Sequence, residues 1–101
     1  MVLTMSNRPT IRHIVFFSAK DKADIGRIVD GLNELAKIPY SKVFEVRENT
    51  QNDALSDEVD VVVYAEFDSV EDMAAYKADP IYEHAITVVR PLRELRVAAD
   101  I

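Results

Sequence analysis

A chain of 101 residues, 49% of them hydrophobic, holds enough apolar side chain for one core and too little for two, which excludes a multidomain organisation. Twelve basic against eighteen acidic residues leave a net charge of −6, which repels nucleic-acid phosphates and anionic lipid headgroups and removes both as expected partners. There is no cysteine, so disulfides, thiolate catalysis and Cys-ligated zinc are excluded together, and a reducing compartment fits.

The opening "MVLTMSNRPT" lacks the basic region followed by an apolar run that marks a signal peptide, and no apolar run approaches the roughly 20 residues of a membrane helix. The expected location is cytoplasmic. Residues 1–9 are expected to form a flexible arm, and residues 10–101 a single domain.

The first element is the β-branched and aromatic run "TIRHIVFFSA" (Thr10 to Ala19), bounded by Pro9 and by the polar "KDKAD". From the candidate cap Asp21 the apolar spacing changes to that of a helix, with Ile25, Ile28, Val29, Leu32, Leu35 and Ala36 on one stripe. Pro39 disfavours helical backbone in the residue before it, which predicts the end near Ile38. "SKVFEVRENT" (Ser41 to Thr50) reads as a second strand, and the acidic "DALSDEVD" as a solvated loop. "EVDVVVYAEFD" (Glu58 to Asp68) is the strongest strand signal, and its unbroken Val61, Val62 and Val63 place it in the middle of a sheet.

Ser69 and Asp72 stand at capping-box spacing ahead of a second helix with Val70, Met73, Ala74 and Tyr76 on one face. Pro80 punctuates that helix. A further helical piece follows, with Ile81, Ala85 and Val88 in register, and Pro91 ends it before a last strand "RELRVAAD". The order β-α-β-β-α-β predicts an α+β fold of the ferredoxin-like kind, an antiparallel four-stranded sheet with its helices on one face. Ile14, Phe16, Val62 and Tyr64 alternate onto the other face. Four strands about 4.8 Å apart and six residues long present roughly 400 Å² there, a size at which apolar patches mark interfaces, so a homodimer through that open face is expected.

Three segments together, "IRHIVFF" at 11 to 17, "VYAEFDSVEDMAAYKADPIYEHA" at 63 to 85 and "VVRPLREL" at 88 to 95, resemble the stress-responsive A/B barrel domain family, often shortened to Dabb. The resemblance implies a dimeric α+β barrel. Some members are known only as stress-induced, and others cyclise or process polyketide-like molecules. In cyclising members a strand-one histidine and a tyrosine four residues before the helix-breaking proline line a cavity between helices and sheet, which implies such roles for His13 and Tyr76. Two residues after Pro80, where those members carry a histidine, this chain has Tyr82. Its own His84 lies two positions further on, about 200° round a helix.

The expected catalytic pair is therefore His13 as base and Tyr76 as hydrogen-bond donor, acting on a carbonyl compound. Phe17, Val63, Tyr82 and His84 are the expected substrate-binding residues around a small aromatic or polyketide-like ligand. Two histidines without ligand spacing fall short of a zinc signature, and both glycines, Gly26 and Gly31, sit in the first helix instead of a phosphate loop. Neither metal nor cofactor is expected. A cofactor-free polyketide cyclase or lyase, a monooxygenase-like enzyme, and a non-enzymatic structural or stress-related dimer stand as alternatives, the last with His13 and Tyr76 as ordinary core residues.

Overall fold

β-Branched and aromatic side chains make Ile11–Ala19 a nine-residue strand, β1, in the computed structural model, which describes residues 11–101. The arm expected over residues 1–9, and Thr10 as the first residue of the strand, lie outside the described residues. After β1 the Asp21 carboxylate accepts the Ala23 N–H at 2.9 Å, capping a short 3₁₀ turn that leads into helix α1 (Ile25–Asn33). A second 3₁₀ turn, Glu34–Lys37, ends at Ile38, whose extended backbone satisfies the constraint set by Pro39.

Strands β2 (Val43–Glu48) and β3 (Val61–Phe67) follow. Helix α2 (Val70–Ala78) opens on Ser69, whose hydroxyl accepts the Asp72 N–H at 3.0 Å. Asp79 then both ends α2 and caps α3 (Pro80–Val89): its backbone is extended, and its carboxylate accepts the Ile81 N–H at 2.9 Å. Pro80 can occupy the first turn of α3 because that position needs no N–H donor. The chain closes with β4 (Arg93–Asp100). All pairings are antiparallel in the order β2-β3-β1-β4, so the architecture is the α+β, ferredoxin-like one expected, with β3 and β1 in the centre.

Alternation sorts the central strands cleanly. Ile11, His13, Val15 and Phe17 of β1 and Val61, Val63, Ala65 and Phe67 of β3 are buried under the helices, whereas Ile14, Phe16, Val62 and Tyr64 point to the open face. Phe44 and Val46 of β2 pack against the core from the edge.

Four positions expected on apolar helix stripes differ from the sequence reading. In α3 the inner residues are Ala85 and Val89, while Val88 is exposed, because a helix starting at Pro80 turns 82, 85, 86 and 89 inward. Ala36 is exposed because the chain has tightened to a 3₁₀ turn, which aligns Leu35 with Ile38 instead. Val70, at the start of α2, and Ala74 are exposed, and Met73 and Tyr76 carry that helix's contact. In the acidic loop one carboxylate is not solvated. Asp60 is buried and accepts the Ala19 N–H at 2.8 Å and the Lys22 ammonium at 2.6 Å, tying β3 to the end of β1.

The two helical glycines differ in surroundings. A Cβ at Gly26 would meet nothing within 4 Å, whereas one at Gly31 would lie 3.0 Å from Cγ2 of the buried Val89, where α1 and α3 approach. Gly26→Ala is therefore expected to stabilise the fold by about 0.5 kcal/mol through reduced unfolded-chain entropy. Gly31→Ala should instead destabilise it by about 1 kcal/mol through overpacking. Urea midpoints of the two variants against the parent decide this, and equal gains at both sites would contradict the close packing of α1 on α3.

Candidate functional site

The break at Asp79 and Pro80 separates α2 from α3, and a cavity of about 230 Å³ is lined by residues of both helices and of the sheet. Its floor is His13, Val15 and Phe17 of β1 with Val63 of β3. Leu32 and Leu35 close one side, and Tyr76 of α2 with Tyr82, Ala85 and Val89 of α3 form the roof. Arg90, Arg93 and Arg96 complete the lining.

His13 is buried, with its ring edge-on to Phe67 at a centroid distance of 6.3 Å. Its Nδ1 lies 2.5 Å from Oδ1 of Asp100, the residue directly opposite on β4, whose side chain is still 43% exposed. In a neutral ring, an Nδ1–H that donates to the Asp100 carboxylate leaves the lone pair on Nε2. The carboxylate thus fixes both the tautomer and the plane of the ring.

Tyr76 packs on Phe67 at 5.0 Å and meets Tyr82 edge-on at 5.2 Å. Burial, with a smaller contribution from Tyr82, pushes the Tyr76 phenol well above its ordinary pKa, and the Arg96 guanidinium pulls weakly the other way. The phenol therefore stays protonated, a hydrogen-bond donor at any physiological pH. Between His13 and Tyr76 there is no hydrogen bond among the described residues. The Phe67 ring stands beside both.

The family model "Dabb: Stress responsive A/B Barrel Domain" matches residues 11–101. The chain belongs to this family. Among solved structures it is similar to a dimeric ferredoxin-like protein of unknown function from Thermobifida fusca, at 26% identity and a TM-score of 0.77, over 90% of this chain and 88% of that one. It is also similar to the hydroxynitrile lyase of Passiflora edulis (22% identity, TM-score 0.74, 90% of each chain covered). A monooxygenase-like protein of antibiotic biosynthesis from Nitrosomonas europaea aligns at 16% identity and a TM-score of 0.72, over 91% of this chain and 96% of that one. None of the curated proteins matches the chain.

Of the site residues expected from the sequence, the fold brings His13, Phe17, Val63, Tyr76 and Tyr82 to one cavity. His84 is the exception and a correction to the sequence reading. It precedes the inward-facing Ala85 by one residue, about 100° round α3, so it is exposed and outside the cavity, near Glu34. The sequence reading missed Asp100, since nothing in "RVAAD" tells that its last residue pairs with His13. It also missed the three arginines, visible as "RPLRELR" but read there as the end of a helix and the start of a strand.

The Tyr76 environment has a consequence at high pH. Folding raises the phenol's pKa, so as pH rises the unfolded chain loses this proton first, and the folded state is progressively disfavoured above the ordinary tyrosine value of about 10. Stability measured by urea unfolding should hold below that value and then fall by at most about 1.4 kcal/mol per pH unit on account of this residue. Tyr76→Phe should flatten that slope. An unchanged slope in the variant would mean that the phenol is not held in its neutral form by burial.

Proposed function

We propose that this Dabb protein binds a small aromatic or polyketide-like carbonyl compound in the cavity and carries out general acid–base chemistry on it. The observation that carries this reading is the His13–Asp100 pair and a protonated, buried tyrosine on one cavity whose floor and sides are apolar. A dry cavity of about 150 Å³ takes a benzene ring, so about 230 Å³ has space for a substituted ring or a short folded chain. In this reading Nε2 of His13 takes a proton from the carbon next to a carbonyl. Asp100 stabilises the resulting imidazolium, and the Tyr76 hydroxyl donates to the developing enolate oxygen. Phe17, Val63 and Tyr82 hold the ligand's apolar body.

The fold is shared with a hydroxynitrile lyase and a monooxygenase-like protein, but at identities of 22% and 16% that likeness concerns the fold alone. Proton transfer is preferred because the groups that face the cavity are those such a step needs. With a turned-over phenolic or polyketide-like substrate in hand, His13→Ala should lower kcat by roughly 10² to 10⁴. Asp100→Asn should lower it as well by releasing the tautomer, and His84→Ala should leave it unchanged. Retention of activity in His13→Ala would remove the assignment.

The protein also acts as a homodimer in this reading. Phe16, Val97 and Ile101 are 40%, 50% and 57% exposed and lie on the open face of the sheet together with Ile14, Val62 and Tyr64. Arg12, on the same face, has a buried Nε without an acceptor among the described residues, an arrangement that a second copy could complete. The Thermobifida fusca neighbour is dimeric. Light scattering at micromolar concentration should give twice the chain mass, and Phe16→Glu or Tyr64→Glu should reduce it to that of one chain. A parent protein that is monomeric would contradict packing through this face.

A further inference from the structure

We propose that Arg90, Arg93 and Arg96 form an anion-recognition rim on the cavity and select ligands that carry a carboxylate on their aromatic or polyketide-like body. The proposal deepens the reading of the cavity as a ligand site and rests on it.

Residues 93 and 96 are an odd number of positions apart, so in a regular strand their side chains would point to opposite faces of the sheet. Here they share a face. Phe17 pairs with Arg96 and Ala19 with Arg93, so between these pairs β4 carries one more residue than β1, and the resulting bulge resets the alternation. Ser18, itself buried, holds the irregularity in place by accepting the Leu95 N–H on its hydroxyl at 3.0 Å. Arg90, at the end of α3, joins them from the helical layer.

The three cations stand together without compensation. Among the described residues, five other cations, Lys22, Arg27, Lys37, Lys42 and Arg47, each contact a carboxylate. Arg90, Arg93 and Arg96 have no carboxylate partner and no side-chain hydrogen bond among the described residues, in a chain whose acidic residues outnumber its basic ones by six. Burial, and then the neighbouring charges of Arg96 and Arg90, push the Arg93 pKa below its usual value. Like charges gathered at the edge of a mostly apolar cavity repel one another until an anion arrives. A carboxylate matches the planar donor fork of a guanidinium. The ligand's ring then points inward, toward Tyr76 and His13.

The test compares 2-naphthoate with its neutral isostere 2-naphthamide by calorimetric titration at pH 7.5. The rim should favour the carboxylate by roughly tenfold or more. Raising salt from low to about 0.5 M should narrow the gap through screening while leaving amide binding in place. In Arg93→Gln/Arg96→Gln the preference should vanish with amide affinity retained, and Arg90→Gln alone should weaken it partway. His13→Gln should leave the preference intact. Equal affinity for the two probes in the parent protein, or a preference that survives the double substitution, overturns the rim while the cavity stands as a ligand site. Binding of neither probe overturns both readings.

Discussion

Pairing of the first strand with the last is the constraint on which the rest of this structure depends. β4 returns to lie beside β1, and only through that antiparallel register does Asp100 meet His13, 87 residues away in the chain. A slip of one residue would turn every side chain of β4 to the opposite face. The register is held at its far end by Lys20 and Leu92, whose backbones pair at 2.9 Å, and at its near end by the reciprocal backbone bonds of Arg12 with Ile101 at 2.8 and 2.9 Å. Between these anchors sits the bulge, so one ladder sets both the histidine–carboxylate pair and the arrangement of arginines.

The second determinant is the interrupted helix. A continuous helix from Val70 to Val89 would run straight across the sheet. The change of direction at Asp79, enforced by an extended backbone and by a proline that fits only at a helix start, replaces it with two shorter helices. Tyr76 at the end of the first and Tyr82 at the start of the second meet edge to face across the break. The aromatic run His13, Phe67, Tyr76 and Tyr82 is thus continuous from sheet to roof, and His13, Tyr76 and Tyr82 of that run line the cavity.

Much of this was legible in the sequence. The alternation of β1 and β3, the caps Asp21 and Ser69 and the break at Pro80 are local signals, each fixed by residues within a few positions, and they led to the fold. The resemblance to the Dabb family pointed to His13 and Tyr76, and alternation alone placed His13 under the helices. Features set by register were not legible. Which residue faces His13 depends on pairing across the whole chain, and the shared face of Arg93 and Arg96 depends on a bulge that no residue type announces. The choice between Val88 and Val89 was lost because two adjacent valines satisfy an apolar stripe equally well, and His84 was drawn in by its chemistry although α3 turns it outward.

The account stands on His13 being held by Asp100 with a free Nε2 directed at a ligand site. Proton-detected nitrogen NMR of the imidazole at pH 8 reads this directly. It should show one histidine with the proton on Nδ1 and an unprotonated Nε2, lost to a tautomer mixture in Asp100→Ala, and an Nε2 resonance that shifts when 2-naphthoate is added. A His13 ring protonated on Nε2, or an Nε2 signal indifferent to a bound probe, would contradict it.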